Sequence, residues 1–203
     1  MHISDVGAYQ GDFARDCLQV WPDSRITCFE PQPHMKSAID RLSAEFPGQI
    51  IHHDCLLGRH EQGSVTLYLA ETASSVLTEH VTPHPGIQRP MRTIDSFNDK
   101  SPFGPCDFLK MDVQGYELEV LKGANKMLED VQVVLAEVNL LDIHSNVPLL
   151  PEFVSWLAKR GFVPYDICGM TRRPLDGALW QIDMVFVPED SLLREDKRWN
   201  VDV

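Results

Sequence analysis

The sequence predicts an α/β fold in which a mostly parallel sheet carries helices on both faces. Apolar runs typical of buried strands alternate with segments of helical periodicity, in units of about 25 residues. Strands that are joined through helices in this way lie parallel, with right-handed crossovers. Near the C-terminal end, two strand-like segments are separated only by turn residues. They are expected to form an antiparallel pair at one edge of the sheet.

The first half of the chain contains three strand-like segments with a helix after each of the first two. Proline and glycine mark the boundaries, since Pro33 suits the first turn of a helix and Pro47-Gly48 ends one. The expected elements are strand Ile3–Val6, a helix from Asp12 to about Trp21, strand Arg25–Phe29, a helix with Met35, Ile39, Leu42 and Phe46 on one face, and strand Gln49–His53.

The middle of the chain is less regular. Ser64–Ala70 alternates between polar and apolar residues and is predicted to be a strand. Thr72–Pro90 contains three prolines among hydroxyl residues and is predicted to be an exposed loop. Loops of that length in a compact domain are usually functional or mobile, so this one is expected to cover or recognise a substrate. Regular structure resumes at Thr93–Phe97.

The second half returns to the alternating pattern. Val131–Val138 is almost continuously apolar, as expected for a central strand that is buried on both faces. Neither a repeat nor a low-complexity linker interrupts the chain, so residues 1–203 are expected to form one domain with little or no extension before the first strand. The remaining elements are strand Asp107–Met111, a helix from Gly115 to Gly123, helix Pro148–Arg160, and strands Phe162–Ile167 and Leu179–Val187 around a linker, Gly169–Gly177.

Composition excludes several classes of protein. The 203 residues are 43% hydrophobic and 24% charged, which is ordinary for a globular protein. The formal net charge of −12 disfavours binding to nucleic acid or to anionic membranes, which depends on clustered Lys and Arg. No apolar stretch approaches the roughly 18 residues that a membrane span needs. The N-terminus lacks the basic and apolar regions of a signal peptide, so a cytoplasmic location is expected.

The cysteines and histidines do not predict a disulfide framework or a metal site. The five cysteines are scattered without a C-x-x-C pair, which is typical of reduced cytosolic thiols. His52 and His53 are adjacent on a predicted strand, where successive side chains point to opposite faces. The two imidazoles are therefore expected to diverge.

Acidic residues end four of the predicted strands. Asp5, Glu30, Asp54 and Asp112 each lie at a carboxyl end, and in an open α/β sheet ligands bind outside these ends. Glu30 is placed to accept hydrogen bonds from two ribose hydroxyls, and Asp54 to contact an adenine amino group. Asp5 suits a cationic or zwitterionic ligand. The four acids together indicate one binding crevice more specifically than any one of them.

The turn after the first strand reads Asp5-Val6-Gly7-Ala8-Tyr9-Gln10-Gly11. Tyr9 occupies the position of the second glycine of the dinucleotide fingerprint, which lets the backbone approach a pyrophosphate. This disfavours an oxidoreductase that uses NAD or a nucleotide sugar. From the residues alone, Gly7 and Gly11 either form part of a ligand site or simply make a tight strand-to-helix turn.

Six sequence runs resemble the FkbM-type S-adenosylmethionine-dependent methyltransferases, from Ser4 to about Ser191. In order they are DVGAYQGDFA, CFEPQP, RTIDSF, DFLKMDVQGYELEVLKGA, VVLAEV and QIDMVFV. The resemblance implies a Rossmann-like class I methyltransferase fold. Its seven-stranded, mostly parallel sheet has the order 3-2-1-4-5-7-6, with the seventh strand antiparallel. It also implies S-adenosyl-L-methionine as cofactor and O-methylation of a sugar or another small metabolite.

The resemblance also implies which residues bind the cofactor. The ribose acid of the family corresponds to Glu30, and the family loop usually has Asn where this chain has Tyr9. The cofactor loop corresponds to Asp5, Gly7, Ala8 and Gly11, and the motif after the fourth strand of the sheet to Lys110, Asp112, Gln114, Gly115 and Glu117.

Several roles stay open at this point. Asp112 is either the base that accepts the proton of the acceptor hydroxyl or a ligand of the cofactor, and His144 is a second candidate base. Ser74 and Ser75 resemble a serine pair of the family and are expected to line the acceptor site. Arg172, on the terminal hairpin, either recognises substrate or pairs with a neighbouring acid. The alternative function is a module of the same fold that binds S-adenosylmethionine, or a partner protein, without turnover.

Overall fold

The structure is a computed structural model that describes residues 1–201. Within these residues the chain forms ten strands and six α-helices. In chain order they are β1 (His2–Val6), α1 (Asp12–Val20), β2 (Arg25–Phe29), α2 (Lys36–Glu45), β3 (Ile50–His53), β4 (Leu56–Leu57), β5 (Gln62–Tyr68), β6 (Gly86–Arg92), α3 (Asp95–Asn98), β7 (Phe108–Met111), α4 (Glu117–Lys122), α5 (Met127–Asp130), β8 (Val133–Asn139), α6 (Leu150–Ala158), β9 (Phe162–Arg172) and β10 (Leu179–Pro188).

Seven of these strands form one sheet in the order β3-β2-β1-β7-β8-β10-β9. Neighbouring strands in the part β3-β2-β1-β7-β8 pair in parallel, whereas β10 runs antiparallel to both β8 and β9. When the strands of this sheet are numbered by themselves, the order is 3-2-1-4-5-7-6 with the seventh antiparallel. The fold class implied by the sequence is therefore confirmed.

Hydrophobic clusters lie on both faces of the sheet. Under α1 and α2, Ile3 and Ile26 of the sheet meet Ile39 and Leu42 of the second helix. On the opposite face, Leu109 belongs to a larger cluster, which also includes Leu121, Val134, Phe153, Leu157 and Phe186. Strand β8 was predicted to be buried on both faces, but along most of its length only alternate residues are fully buried. Val134, Ala136 and Val138 belong to the larger cluster, whereas Leu135, on the other face, lines a cleft.

A second sheet of three strands, in the order β4-β6-β5, corrects the prediction of a loop over Thr72–Pro90. The predicted loop contains a 3₁₀ turn at Glu71–Ala73, and β6 begins inside it at Gly86. Proline is unfavourable inside a sheet because it has no N–H to donate. Pro90 is accommodated because the register between β5 and β6 shifts there, between the pairs Gln62–Met91 and Val65–Arg89.

The last hairpin is longer than predicted. β9 continues past Ile167 to Arg172, so the prediction of a linker beginning at Gly169 was wrong. Gly169 leaves room for the carboxylate of Asp183 on β10, which would have to move if position 169 carried a Cβ atom. Helix α2 also begins later than predicted, at Lys36 rather than near Pro33.

None of the helices within residues 1–201 is both long enough and apolar enough to cross a membrane.

The first testable prediction concerns the close approach of the β1 turn to β7. Gly7 has φ +76°, and a Cβ atom there would overlap the main-chain oxygen of Asp112, whereas Gly48 has φ +77° with open space around it. Alanine at either position adopts a left-handed backbone at a cost of about 1–2 kcal/mol. Only Gly7→Ala adds a steric overlap, so we expect it to lower the free energy of unfolding by about 1–3 kcal/mol more than Gly48→Ala.

Urea unfolding of the two variants and the wild-type protein measures this difference. Equal losses for Gly7→Ala and Gly48→Ala would contradict the close approach of the two chain segments.

Candidate functional site

A cleft of about 390 Å³ lies at the carboxyl ends of β1, β2 and β7. This volume is within the range of roughly 300–1,000 Å³ that is typical of small-molecule sites. Its lining residues come from the glycine turn, the ends of the parallel strands and the segment before β6. They are Gly7, Ala8, Tyr9, Asp12, Phe13, Glu30, Pro31, Gln32, Leu67, Thr72, Ser74, Ser75, Val76, Lys110, Met111, Asp112, Val113, Leu135 and Asp183.

The glycine turn after β1 is held against the end of β2. The backbone N–H groups of Gly7 and Ala8 donate to the carbonyl oxygen of Phe29, at 3.0 and 3.2 Å. Tyr9 has φ +47°, a left-handed conformation that asparagine tolerates better than tyrosine. Its N–H donates to Oε2 of Glu30 at 2.8 Å, which helps to hold the strained residue in place.

Glu30 is the buried carboxylate at the centre of this part of the cleft, with 2% of its surface exposed. Its Oε1 accepts the N–H of Gln32 at 2.8 Å, while Oε2 accepts that of Tyr9. Burial raises the pKa of Glu30, although these two hydrogen bonds favour its charged form. Because each carboxylate oxygen can accept a second hydrogen bond, Glu30 retains the capacity to bind two hydroxyl groups.

An ion pair joins the two central strands beneath the cleft. Nζ of Lys110 on β7 lies 3.0 Å from Oδ1 of the fully buried Asp5 on β1. The same ammonium donates to the carbonyl oxygen of Gly7 at 3.0 Å. Burial raises the pKa of Asp5, and the charge of Lys110 opposes that shift. Lys110 thus forms a salt bridge with Asp5 while also lining the cleft.

A glutamine side chain links the acidic ends of β7 and β8. Nε2 of Gln114 donates to Oδ1 of Asp112 at 2.8 Å and to Oε2 of Glu137 at 3.0 Å. Glu137 also accepts a hydrogen bond from Nε2 of Gln181 on β10, at 2.6 Å. Burial, with the nearby charges of Asp112 and Glu117, raises the pKa of Glu137.

Glu117 holds the loop between β7 and α4. Its buried Oε1 accepts the N–H groups of Val113 and Gly115, at 2.9 and 3.2 Å. Burial raises the pKa of Glu117 to about 7. In the same loop Gln114 takes φ +54°, and its carbonyl oxygen accepts the hydroxyl of Ser75 at 2.8 Å. The segment before β6 is thereby fastened to the loop that carries Asp112.

The two serines that the sequence singled out are in the cleft. Ser74 and Ser75 both line it, with Thr72 and Val76 beside them. The hydroxyl of Ser74 lies 2.8 Å from the carbonyl oxygen of Glu71 and 3.2 Å from Oε1 of Gln32. The first part of the predicted loop therefore covers one side of the cleft.

Eight residues that the sequence proposed for the site are not among the cleft's lining residues. Asp5 is fully buried and paired with Lys110, Gln114 and Gly115 belong to the segment that joins β7 to α4, and Glu117 is the first residue of α4. Gly11 precedes α1, packed against Leu42. The other three contact different parts of the chain: Asp54 forms an ion pair with Arg89 of β6, His144 is buried in a bridge to Glu79 near His80 and His84, and the exposed Arg172 donates to the carbonyl oxygen of Gly177.

Gln32 and Glu137 were missed as candidates for site residues. Gln32 follows Glu30 by two positions, which carries no recognisable signal in the sequence. Glu137 could have been found, because it lies at the end of the strand-like run beside Asp112. In the structure it pairs in register with Asp183, which does line the cleft.

Within the part of the chain that the structure describes, no group of three His, Cys, Asp or Glu side chains is arranged to hold a metal ion. His52 and His53 diverge as expected. Nε2 of His52 lies 3.1 Å from the carbonyl oxygen of Glu30, whereas the ring of His53 stacks on Phe29.

A family model described as methyltransferase FkbM domain matches residues 5–164. A comparison with curated proteins found no match. Among solved structures, the chain is similar to the methyltransferase FkbM from Methylobacillus flagellatus KT, with a TM-score of 0.59 and 18% identity. That alignment covers 91% of this chain and 43% of the other, so this chain spans less than half the length of that protein.

Two further similar structures contain a cofactor or its product. The magnesium protoporphyrin IX methyltransferase from Synechocystis PCC 6803, solved with bound SAM, has a TM-score of 0.52 and 10% identity, covering 92% of this chain and 69% of that one. TrmK from M. capricolum, in complex with S-adenosylhomocysteine, has a TM-score of 0.54 and 9% identity, covering 94% and 63%. At these identities the likeness shows the fold alone.

The second prediction is a pH-dependent contribution of Glu117 to stability. The unfolded chain releases this proton near the ordinary pKa of 4.5, and the folded chain only near 7. Raising the pH through that interval therefore favours unfolding, by about 2–3 kcal/mol between pH 5 and 8. Glu117→Gln keeps one oxygen for the two N–H donors but cannot titrate. Between pH 5 and 8 the free energy of unfolding of this variant is therefore expected to fall less than that of the wild type.

Urea unfolding at several pH values gives the free energy of unfolding of the variant and of the wild type. Contributions from the histidines are common to both proteins and cancel in the difference. Glu119→Gln is the matched control, because Glu119 is on the same helix in a surface pair with Lys122. If Glu117→Gln keeps the slope of the wild type, the assigned titration of Glu117 is wrong.

Proposed function

The chain belongs to the FkbM methyltransferase family, and we propose that it transfers a methyl group from S-adenosylmethionine to a hydroxyl oxygen of a sugar or another small metabolite. The observation that carries this proposal is the position of two carboxylates in one cleft. Glu30 lies at the end of β2 beside the glycine turn, and Asp112 lies at the end of β7, across the switch point of the sheet.

The residues present suit this cofactor. Glu30 has one remaining acceptor site on each oxygen for the ribose hydroxyls, and the turn at Gly7 and Ala8 presents backbone rather than side chain to the cleft. Carboxylates also favour the positive charge of a sulfonium. When bound, S-adenosylmethionine supplies the electrophilic methyl group. The proposed contacts are therefore Glu30 with the ribose, and Asp112 with Gln114 near the methionine part of the cofactor.

The protein's main contribution to methyl transfer is position. Holding the acceptor oxygen in line with the methyl group supplies about 7–11 kcal/mol in favourable cases. Ser74, Ser75 and Asp183 line the cleft and are proposed to hold the acceptor. Hydroxyl and carboxylate groups there suit a polyhydroxyl molecule better than an anionic one.

Asp112 is the proposed proton acceptor for the hydroxyl. Gln114 donates to its Oδ1 and leaves Oδ2 without a hydrogen-bond donor from residues 1–201. A base in this position contributes about 10²–10⁴-fold to the rate. The other role, as a ligand of the cofactor, has the same structural support, and the two are separated by measuring affinity and turnover in one variant.

The third prediction tests the cofactor site. Glu30→Ala removes the proposed ribose hydrogen bonds, each worth about 1.5–3 kcal/mol, so affinity for S-adenosylmethionine should fall by at least about tenfold. Asp54→Ala is the matched control, because Asp54 is an exposed strand-end acid held by Arg89 outside the cleft.

Isothermal titration of folded variants gives both affinities. The assignment of Glu30 fails if Glu30→Ala binds as tightly as the wild type, and the placement of Asp54 fails if its variant loses affinity to the same extent.

The fourth prediction tests the function itself, with labelled S-adenosylmethionine and a panel of hydroxylated sugars and small metabolites. Transfer of label to an oxygen is the expected result. Asp112→Asn should lower turnover by about 10²–10⁴-fold with affinity nearly unchanged if Asp112 is the base, and should lower affinity if it is a cofactor ligand. Asp12→Asn, at the exposed rim of the same cleft, is the control.

Retention of both affinity and turnover in Asp112→Asn would overturn both roles. Tight cofactor binding without label transfer to any acceptor would instead support the alternative of a binding module.

A further inference from the structure

A second cavity, of about 380 Å³, lies on the other face of the sheet and shares no lining residue with the cofactor cleft. Ser4 and Thr27 line it, and these side chains point away from the face that carries Asp5 and Cys28. The full lining is His2, Ser4, Thr27, Phe29, Ile51, His53, Glu61, Arg92, Ser96, Phe97, Asn98, Lys100, Ser101, Pro102 and Met127.

The cavity exists because this face of the sheet is covered by a short element. After β3 the chain forms the small sheet and returns with α3, which has only four residues, Asp95–Asn98. A sheet covered by helices on both faces has apolar side chains on both sides of its central strands. Here the central strands carry the buried hydroxyl residues Ser4 and Thr27 on this face. The surface of the sheet is therefore polar at Ser4 and Thr27, whereas close packing against a helix would need apolar side chains there.

One wall of the cavity is aromatic and apolar. The rings of Phe29, His53 and Phe97 contact one another, with centroid distances of 5.2 Å from Phe29 to each of the other two and 4.3 Å between His53 and Phe97. Burial lowers the pKa of His53, which disfavours the charged form of this ring. Ile51 and Met127 extend the apolar surface. A flat apolar group would find aromatic and aliphatic contacts here.

Two cations without an acidic partner line the same cavity. Among residues 1–201, neither Arg92 nor Lys100 forms a salt bridge, although the chain has a net charge of −12. The side chain of Arg92 donates only to the carbonyl oxygen of Met91, at 3.2 Å. By contrast, Arg89 on the same strand is paired with Asp54. Glu61, the one carboxylate in the lining, also forms no salt bridge among residues 1–201, so two cations face one carboxylate and the lining keeps an excess of one positive charge. An anionic group in the cavity would pair with this excess charge.

We propose that this cavity binds a small organic anion with a flat apolar body, such as an aromatic carboxylate or sulfonate. The body would lie against Phe29, Phe97 and Ile51, and the acidic group would pair with Arg92 and Lys100. The site is separate from the proposed methyl-transfer cleft and does not depend on its assignment.

The test uses two dyes that share an aromatic body. 8-Anilinonaphthalene-1-sulfonate carries a sulfonate, and N-phenyl-1-naphthylamine does not. Fluorescence titration of the wild type should give saturable 1:1 binding of the sulfonate, at least fivefold tighter than that of the neutral dye. Arg92→Gln should remove most of this preference, while leaving the affinity for the neutral dye within twofold.

A second variant tests the cavity itself. Ile51→Trp fills it and should weaken binding of both dyes at least tenfold, in protein whose circular dichroism and unfolding midpoint show it to be folded. Lys126→Gln, an exposed cation paired with Asp99, is the control and should change neither affinity. Titration of S-adenosylmethionine should be the same in all variants, which separates this test from that of the proposed function.

Dye affinities unchanged by Ile51→Trp would place the dyes elsewhere and overturn the proposal. If Arg92→Gln lowers the affinity for both dyes equally, the proposed pairing of the acidic group with Arg92 and Lys100 is wrong.

Discussion

The ion pair between Lys110 and Asp5 connects the features on which the cleft depends. It joins β7 to β1 at the switch point of the sheet, and the same ammonium holds the carbonyl oxygen of Gly7. Removing one partner of a buried pair leaves an uncompensated charge, which typically costs about 3–5 kcal/mol. The pair therefore fixes the glycine turn relative to the strand end that carries Asp112, and it does so beneath the cleft.

Buried carboxylates position the loops around that centre. Glu30 holds the backbone of Tyr9 and Gln32, and Glu117 holds the backbone of Val113 and Gly115. Each of them exchanges hydration for backbone N–H donors, a compensation that burial of a charged group requires. The loops are thus ordered by carboxylates, and one of them, Glu30, also lines the cleft and can accept further hydrogen bonds there. The loops that form the binding site are therefore held in position by carboxylates that follow β2 and β7 in the chain.

The general position of the site could be predicted from sequence, because the carboxyl ends of parallel strands share one edge. Glu30 and Asp112 line the cleft at this edge, whereas Asp5, expected to face a ligand, is fully buried against Lys110. The use of each strand-end acid could not be predicted, since it depends on neighbours that are distant in the chain. Asp54 forms an ion pair with Arg89 of β6, and the sequence around this strand was predicted to be a loop because of its prolines, which include Pro90. Likewise His144 is enclosed by the segment around Glu79, whose position follows from tertiary packing.

A crystal structure with bound S-adenosylhomocysteine tests the central claim most directly, since the claim concerns which side chains meet one ligand. The account predicts ribose hydroxyls within hydrogen-bond distance of both oxygens of Glu30, and the sulfur on the side of the cleft formed by Asp112. It also predicts that the Lys110–Asp5 pair stays intact beneath the ligand. Ligand bound elsewhere, or in this cleft with Glu30 contacting only the backbone of Tyr9 and Gln32, would contradict it.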